Sequence, residues 1–156
     1  MEITSRFIQV CIFRVVNNKD PQFLILERSS DNEMYPNIWQ MLTGHIMQSE
    51  TAEQAVLREL AEETALPIKR FWTVPYIDSF LDLTNNSIQL IPNFAVETYV
   101  NLNPKLSREH KSFGWFSYED ADKVLVWWGQ KNVLKLIDDF VTHGMVDPNF
   151  LEISLK

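Results

Sequence analysis

Residues 44–66 read GHIMQSETAEQAVLRELAEETAL, and the run from Arg58 to Glu63 decides how the chain is interpreted. In a helix, Glu59, Glu62 and Glu63 stand at positions i, i+3 and i+4, so three carboxylates project from one face. Like charges at this spacing repel by roughly a few tenths of a kcal/mol per pair. A hard divalent cation converts that repulsion into ligation, because oxygen ligands suit magnesium, manganese or calcium. The run therefore predicts a metal site, although most helical charge clusters are only solvated surfaces.

The sequence also marks where this helix starts and ends. Thr51 and Gln54 fit the capping box, in which two side chains satisfy the free amide groups of a helix start reciprocally. Residues 52–62 are nearly all good helix formers. Pro67 disfavours helical backbone at the residue before it. We therefore predict a helix that begins after Thr51 and ends before Pro67.

The predicted helix has two distinct faces. At about 100° per residue, Val56, Leu57 and Leu60 form one apolar sector. Ala52 and Ala55 share the carboxylate sector, where small side chains leave room for an ion and its waters. We thus predict that one face anchors the helix and that another presents charge into a cleft.

The spacing G-x5-E-x7-R-E-L-x-E-E-x-A-L resembles the Nudix box of the Nudix hydrolases. The match covers the 23 residues 44–66 and keeps the glycine, all four glutamates and the arginine in register. Two positions depart from the family pattern, because Ala65 stands where the family has glycine and the loop Met47-Gln48-Ser49 lacks a glycine often found there. If Ala65 requires a positive φ, its Cβ costs on the order of 1 kcal/mol.

The resemblance implies a fold, a reaction and a set of ligands. It implies an α/β/α sandwich with a mixed sheet, and we expect residues 1–156 to form a single Nudix domain. Nudix hydrolases split a diphosphate linkage, and catalysis of that kind depends on positioning and electrostatics. By the same resemblance, Gly44, Glu59, Glu62 and Glu63 are expected to hold Mg²⁺, with Mn²⁺ as the alternative, and Glu62 and Glu63 to be catalytic.

The remaining charged pair of the box has a supporting role in this interpretation. We expect Glu50 and Arg58 to pair with each other and to fix the loop against the helix. Arg28 near the cleft is expected to add charge-assisted contacts to a bound phosphate.

A base or a further metal ligand commonly comes from outside the box in this family. Glu109, which precedes the strand-like run Phe113-Gly114-Trp115-Phe116, is the candidate for both roles. His110 is the second candidate for the base, because imidazole titrates near neutrality. His45 and Trp39 are candidates for contacts to phosphate and to a ring, and Trp72, Tyr76 and Phe80 are further stacking candidates.

Hydrophobic periodicity and turn residues predict alternating elements along the whole chain. The predicted strands cover residues 7–16, 23–26, 39–43, 71–81, 88–100 and 112–116, and the later helices cover 118–126 and 131–143. Turns are predicted at 17–21 and around 85–86, and loops at 29–37 and 101–108. Strands on both sides of a helix, followed by helices, favour a layered α/β domain.

Composition limits the partners. The net charge of −7 argues against nucleic-acid polymers, which call for basic surfaces, and favours a small polyphosphate whose charge is balanced by cations. We expect no membrane association, because no apolar run approaches the roughly 20 residues that span a bilayer. The N-terminus does not read as a signal peptide, so the default location is cytoplasmic, as a monomer or homodimer. The lone Cys11 excludes a disulfide within the chain.

Three outer stretches, around Glu27-Arg28, Glu109-His110 and Trp128-Gly129-Gln130, resemble the bacterial dATP pyrophosphohydrolase group, which also acts on dihydroneopterin triphosphate. That resemblance implies a monophosphate and pyrophosphate as products. The alternatives are hydrolysis of another diphosphate, such as ADP-ribose, a dinucleoside polyphosphate or an isoprenoid diphosphate, and a nucleotide-sensing module without turnover. A third hypothesis is an interaction domain whose acidic helix docks a basic partner.

Overall fold

The computed structural model describes residues 1–144 and 147–155. Its strands are β1 Glu2–Thr4, β2 Phe7–Val16, β3 Asp20–Arg28, β4 Trp39–Gln40, β5 Leu42–His45, β6 Arg70–Asp82, β7 Ser87–Glu97 and β8 His110–Phe116. Its helices are α1 Ala52–Glu63, α2 Tyr118–Val124 and α3 Trp128–His143.

All the strands belong to one mixed sheet. The central strand β2 runs parallel to β7 and antiparallel to β3 and β5. Strand β6 forms a long antiparallel hairpin with β7, and β8 pairs with β3. Because β5 pairs with β2 and leads into α1, the sheet fixes the point from which the acidic helix starts.

The sheet buries both of its faces. Side chains alternate along β2, so that Cys11 and Phe13 pack toward α2 and α3 whereas Val10 and Ile12 pack toward α1. Each face therefore has its own hydrophobic cluster, and the helices cover the sheet from both sides. The predicted α/β/α sandwich is confirmed.

Several boundaries differ from the prediction for local reasons. The β2–β3 turn is tighter than expected, because Asn17 and Asn18 both adopt positive φ and Lys19 N–H donates to the Val16 carbonyl, so β3 starts at Asp20. The single strand predicted over 39–43 is two short strands on different partners, β4 on β3 and β5 on β2.

Two further corrections concern element ends, and a third concerns a strand that was not predicted. Strand β7 ends at Glu97 rather than at residue 100, and α3 starts at Trp128 rather than at 131. The start of α3 escaped prediction because Trp127 at its N-cap makes no side-chain capping bond. Strand β1 was not predicted, since three residues are too few to show an alternating pattern. None of the described helices is long and apolar enough to cross a membrane.

Candidate metal and catalytic site

Helix α1 begins as the sequence predicts. The Thr51 hydroxyl accepts a hydrogen bond from the Gln54 amide at 3.1 Å, and the Gln54 side chain accepts one from the Thr51 amide at 2.9 Å. Both halves of the capping box are therefore present. This cap fixes the residue at which the helix starts, and thereby the positions of the acidic residues along it.

The buried face of α1 is rotated relative to the prediction. Its buried residues are Ala55, Val56, Glu59, Leu60 and Glu63, which span about 140° at 100° per residue. Leu57, which was predicted to anchor the helix, is exposed, and Ala55 lies in the core instead of lining a cleft. The carboxylates of Glu59 and Glu63 thus lie on the side that faces the sheet, and Glu62 is exposed at the edge.

Arg58 ties α1 to the loop that precedes it. Its guanidinium contacts both oxygens of Glu50, at 2.7 and 3.0 Å, and donates to the backbone carbonyl of His45 at 2.8 Å. The predicted pair of Glu50 and Arg58 is present. Its hydrogen bonds, with one from the Met47 amide, hold the pKa of Glu50 below its usual range. The loop 45–50 is therefore fixed against the helix by one arginine.

The same arginine reaches the acidic run. It donates to Glu59 Oε1 at 2.9 Å and to Glu62 Oε2 at 3.3 Å. Burial nevertheless raises the pKa of Glu59, because the hydrogen bond from Arg58 only partly offsets the lost solvation and Glu63 and Glu62 add negative charge nearby. A single positive charge thus serves several carboxylates, and the site keeps an excess of negative charge.

Gly44 lies directly beside this cluster. A Cβ at position 44 would overlap the carboxyl group of Glu59, so any larger residue would have to displace that side chain. The close approach brings the backbone of β5 against the acidic face of α1. This explains in physical terms why the first position of the box requires glycine.

Glu63 has different partners from the other two carboxylates of the run. It accepts a hydrogen bond from the Ser107 hydroxyl, and His110 Nδ1 lies 3.5 Å from its Oε2 atom. Burial alone would raise the pKa of Glu63, but His110 and Ser107 lower it by more, and the result lies below the usual value. Glu63 is therefore kept ionised in a largely buried position.

Backbone hydrogen bonds hold the segment that carries Glu109 and His110. The Lys105 amide donates to the Thr64 carbonyl at 2.8 Å, which ties this segment to the end of α1. The Glu109 carbonyl accepts from the Ser29 amide and from the Asn32 side chain, both at 2.9 Å. The Glu109 carboxylate itself is exposed, and one of its oxygens lies within 4.8 Å of ligand atoms of both Glu63 and His110.

These donors fit a hard divalent cation. The Glu59 carboxyl group lies beside Gly44, and ligand atoms of Glu63, Glu109 and His110 lie within 4.8 Å of one another. Arg58 contacts only one oxygen of Glu59 and one of Glu62. Oxygen-rich sets of this kind suit Mg²⁺ or Mn²⁺. The absence of a side chain at Gly44 leaves the backbone close to the same carboxylates.

Comparison with known proteins agrees with this geometry. Residues 6–137 match the family model of the NUDIX domain. The chain belongs to the Nudix family. The resemblance seen in the sequence is thereby confirmed for 6–137, a much longer stretch than the box alone.

Relatives of this Nudix domain include an m7GpppN-mRNA hydrolase, NUDT17, from Xenopus laevis, 34% identical over 137 residues, which cover 80% of the chain and 46% of that protein. The chain spans less than half the length of the curated relatives it matches.

Two solved structures share the fold at low sequence identity. A Nudix hydrolase from Listeria monocytogenes is 20% identical, with a TM-score of 0.78 over 96% of this chain and 100% of that one. The dihydroneopterin triphosphate pyrophosphohydrolase of E. coli is 19% identical, with a TM-score of 0.68 over 86% and 99% of the two chains. At these identities the likeness concerns the fold.

The residues predicted to contact the substrate are His45, Arg28 and Trp39, and each of them has different neighbours in the structure. The His45 ring packs on Phe7 at 4.6 Å between centroids, and its carbonyl serves Arg58. The Arg28 guanidinium donates to the Met34 carbonyl at 3.1 Å, within the loop after β3. Trp39 packs edge-on against Phe116 in the cluster that faces α2 and α3, across the sheet from the acidic run. These residues stay predictions as substrate contacts.

The other stacking candidates are sorted by burial. Trp72 is only 2% exposed and stacks on Phe13 inside the core, so the expectation that it could stack on a substrate is wrong. Phe80 is exposed, and Tyr76 is half-buried with its hydroxyl accepting from Asn132 at 3.1 Å. Phe80 and Tyr76 therefore keep accessible surface for a ligand.

Sequence reasoning missed Ser107 as a partner of Glu63. The only available signal was its place in the run Ser107-Arg108-Glu109-His110, which had been assigned a function through Glu109. The two departures from the Nudix box have a backbone explanation, because Ala65 has φ 54° and Ser49 has φ 65°. Both positions adopt the left-handed conformation that glycine favours, and the chemistry of the carboxylates is not altered.

Proposed function

We propose that this protein hydrolyses a phosphoanhydride bond of a nucleoside triphosphate of the dATP type, or of dihydroneopterin triphosphate, to a monophosphate and pyrophosphate in a metal-dependent reaction. The observation that carries the proposal is the acidic face of α1, with Glu59 beside Gly44 and with Glu63 grouped with Glu109 and His110, in a chain of the Nudix family. A pure binding module has no need for so many acidic side chains around a negatively charged ligand.

The proposed roles of the site residues follow from their burial and charge. Glu59 and Glu63 are largely buried. Arg58 donates a hydrogen bond to Glu59 and Ser107 donates one to Glu63, so both carboxylates serve as fixed ligands. A bound divalent cation supplies charge neutralisation for the phosphate oxygens and lowers the pKa of water. Arg58 keeps the ligand loop in place through Glu50 and the His45 carbonyl.

Glu109 is the proposed general base. Its exposed carboxylate takes a proton from the attacking water while the water oxygen forms a bond to phosphorus. The anhydride P–O bond breaks on the far side, and pyrophosphate leaves with the bonding electron pair. The Ser29 amide and the Asn32 side chain donate to the Glu109 carbonyl and hold this residue at the site.

The Xenopus relative gives a reason for a second substrate class. That protein is an m7GpppN-mRNA hydrolase, and its 34% identity is higher than that of the two structural neighbours. A 5′–5′ polyphosphate bridge, as in a cap or a dinucleoside polyphosphate, presents the same anhydride chemistry to the carboxylates. ADP-ribose remains the alternative among diphosphates, and a nucleotide sensor is the alternative without turnover.

The test is a substrate panel with Mg²⁺ and identification of the products. The panel contains dATP, dihydroneopterin triphosphate, ADP-ribose, a dinucleoside polyphosphate and a cap analogue. We expect pyrophosphate and a monophosphate from one of the first two. Rapid turnover of the cap analogue alone would support the second class, and binding without products from any member would support the sensor.

A matched pair of variants ties turnover to the site. Glu62→Gln removes an acidic side chain that contacts Arg58, and Glu53→Gln makes the same change at an exposed position in the first turn of the helix. We expect Glu62→Gln to lose about 10² to 10⁴ of kcat, the usual contribution of a positioned acid–base or ligand group. Glu53→Gln should stay within about twofold, and a loss of less than about tenfold in Glu62→Gln would remove Glu62 from the catalytic set.

A further inference from the structure

His110 is a buried polar side chain whose hydrogen-bonding groups are unused. Its side chain is 1% exposed, and neither Nδ1 nor Nε2 has a hydrogen-bond partner among the described residues. The 3.5 Å between Nδ1 and Glu63 Oε2 is too long for a good hydrogen bond. Each buried unsatisfied group costs about 1 to 3 kcal/mol, so such an arrangement calls for a partner.

The surroundings of the ring supply ligand atoms for a cation. One ligand atom each from Glu63, Glu109 and His110 can be chosen so that all lie within 4.8 Å of one another. Two atoms bonded to one ion at about 2.0 to 2.2 Å lie at most about 4.4 Å apart, so ligand atoms farther apart than this must move closer together when an ion binds. The exposed Glu109 carboxylate forms the outer side of the group, and Glu63 and His110 form its buried side.

We infer that Glu63, Glu109 and His110 form a mixed oxygen and nitrogen site that selects a first-row transition-metal dication over Mg²⁺. Imidazole suits iron, nickel, copper and zinc, whereas Mg²⁺ takes oxygen ligands almost exclusively. Mn²⁺ prefers oxygen ligands but accepts imidazole more readily than Mg²⁺ does, so it serves as the spectroscopic probe. The site shares Glu63 and Glu109 with the proposed active site, and to that extent it rests on the proposed function. It differs by its nitrogen donor, which none of the carboxylates of α1 provides.

Neighbouring groups already orient two of the three ligands. The Ser107 hydroxyl donates to Glu63 Oε2 and its oxygen also accepts from the Glu109 amide at 3.2 Å. The Glu109 carbonyl is held by Ser29 and Asn32. The hydrogen bond from Ser107 fixes the direction of the Glu63 carboxylate, and the bonds made by the Glu109 backbone fix the position from which its side chain extends.

Electron spin echo envelope modulation of Mn²⁺ bound to the full chain tests the inference without any turnover. We expect ¹⁴N modulation from a directly bonded imidazole in the unaltered protein and in the variants His45→Gln and His143→Gln, which replace the other two histidines. The modulation should vanish in His110→Gln. Its absence from the unaltered protein, or its loss in His45→Gln or His143→Gln alone, would overturn the assignment.

Binding titrations with Mn²⁺ and Mg²⁺ provide the second measurement. His110→Gln should weaken Mn²⁺ binding by at least about tenfold and Mg²⁺ binding by less than about threefold. Because a buried histidine can be needed for folding, Glu109→Gln at an exposed position serves as the second variant, and it should weaken Mn²⁺ binding about tenfold while ¹⁴N modulation persists. Unchanged Mn²⁺ affinity in Glu109→Gln contradicts a three-ligand site.

The proposed function and this inference fail separately. A protein that hydrolyses no member of the substrate panel but shows ¹⁴N modulation retains the mixed-ligand site and loses the proposed reaction. Turnover with Mg²⁺ in a protein that shows no nitrogen ligand retains the reaction and loses the mixed-ligand site.

Discussion

Helices α1 and α3 cover opposite faces of the same sheet, and they treat buried polar groups in different ways. Helix α1 turns two carboxylates, Glu59 and Glu63, toward the sheet. Helix α3 buries one polar side chain, Gln130, which accepts from the Met41 amide at 2.9 Å and donates to Gln9 at 3.0 Å. Gln9 in turn donates to Asn93 at 2.7 Å, so the neutral network continues into the sheet.

This difference between the buried polar groups indicates that α1 carries the candidate site and that α3 supports the fold. Buried neutral groups that are all hydrogen-bonded stabilise one arrangement of the core and leave no charge to be balanced. Of the two buried carboxylates on α1, only Glu59 contacts Arg58, which also serves Glu50 and Glu62. The cluster therefore keeps an excess of negative charge that a bound cation would balance. We therefore expect changes on α1 to alter activity most, and changes on α3 to alter stability most.

The largest expected effect concerns the carboxylates. Glu63→Gln should lower kcat by about 10² to 10⁴ with the preferred substrate, because Glu63 is a proposed ligand that Ser107 holds in place. Asp138→Asn on α3 is the matched control, since burial and then the neighbouring Asp139 and Glu119 raise the pKa of Asp138. Its kcat should stay within about twofold. Equal losses in both variants would abolish the distinction between the two helices.

The second effect is on stability. Gln130→Ala removes the partner of the Met41 amide and of Gln9 in a side chain that is 1% exposed. We expect the free energy of unfolding to fall by about 2 to 4 kcal/mol and the melting temperature by roughly 5 to 15 °C. Thermal unfolding in EDTA measures this without any contribution from metal binding.

Leu57→Ala on α1 is the control for that experiment. The side chain of Leu57 is exposed, so its loss should cost less than about 1 kcal/mol, although it belongs to the apolar sector that the sequence predicts. A large loss of stability in Leu57→Ala with a small loss in Gln130→Ala would show that the faces of the two helices have been misassigned.

Leu57 also shows where prediction from sequence ends. The capping box of Thr51 and Gln54 is encoded within four residues, and the structure contains it as predicted. The rotation of α1 about its axis is not encoded locally, because Val56 and Leu60 are compatible with a buried arc that extends either toward Leu57 or toward Glu59. Packing against the sheet settles it, and that packing depends on residues far away in the chain.

The site divides in the same way. The positions of Gly44, Glu50 and Arg58 relative to the acidic run could be predicted, because they lie in one continuous motif with fixed spacing. The contact between Glu63 and Ser107 could not be predicted, because the two residues are 44 positions apart and Ser107 lies in a loop with no regular sequence pattern. For the same reason the surroundings of His110 emerged only from the structure.

The smallest expected effect compares the ends of the two helices. After α1 the chain turns at Ala65, with φ 54°, whereas α3 ends at Gly144, with φ 66°. A left-handed conformation costs an L-residue roughly 1 to 2 kcal/mol, which glycine avoids. Part of this gain is lost because glycine has a greater conformational entropy in the unfolded chain. Ala65→Gly should therefore raise the free energy of unfolding by about 0.5 to 1 kcal/mol.

The reciprocal change gives this prediction its control. Among residues 1–144 and 147–155, a Cβ at Gly144 would meet nothing within 4 Å, so Gly144→Ala should lower stability by about 0.5 to 1 kcal/mol through backbone conformation. Ala61→Gly, at an exposed position inside α1, should also destabilise, by about 1 kcal/mol, because glycine is unfavourable within a helix. Denaturant unfolding in EDTA compares the three variants. If Ala65→Gly destabilises as Ala61→Gly does, the left-handed turn at the end of α1 carries no strain, and the alanine in the Nudix box needs another explanation.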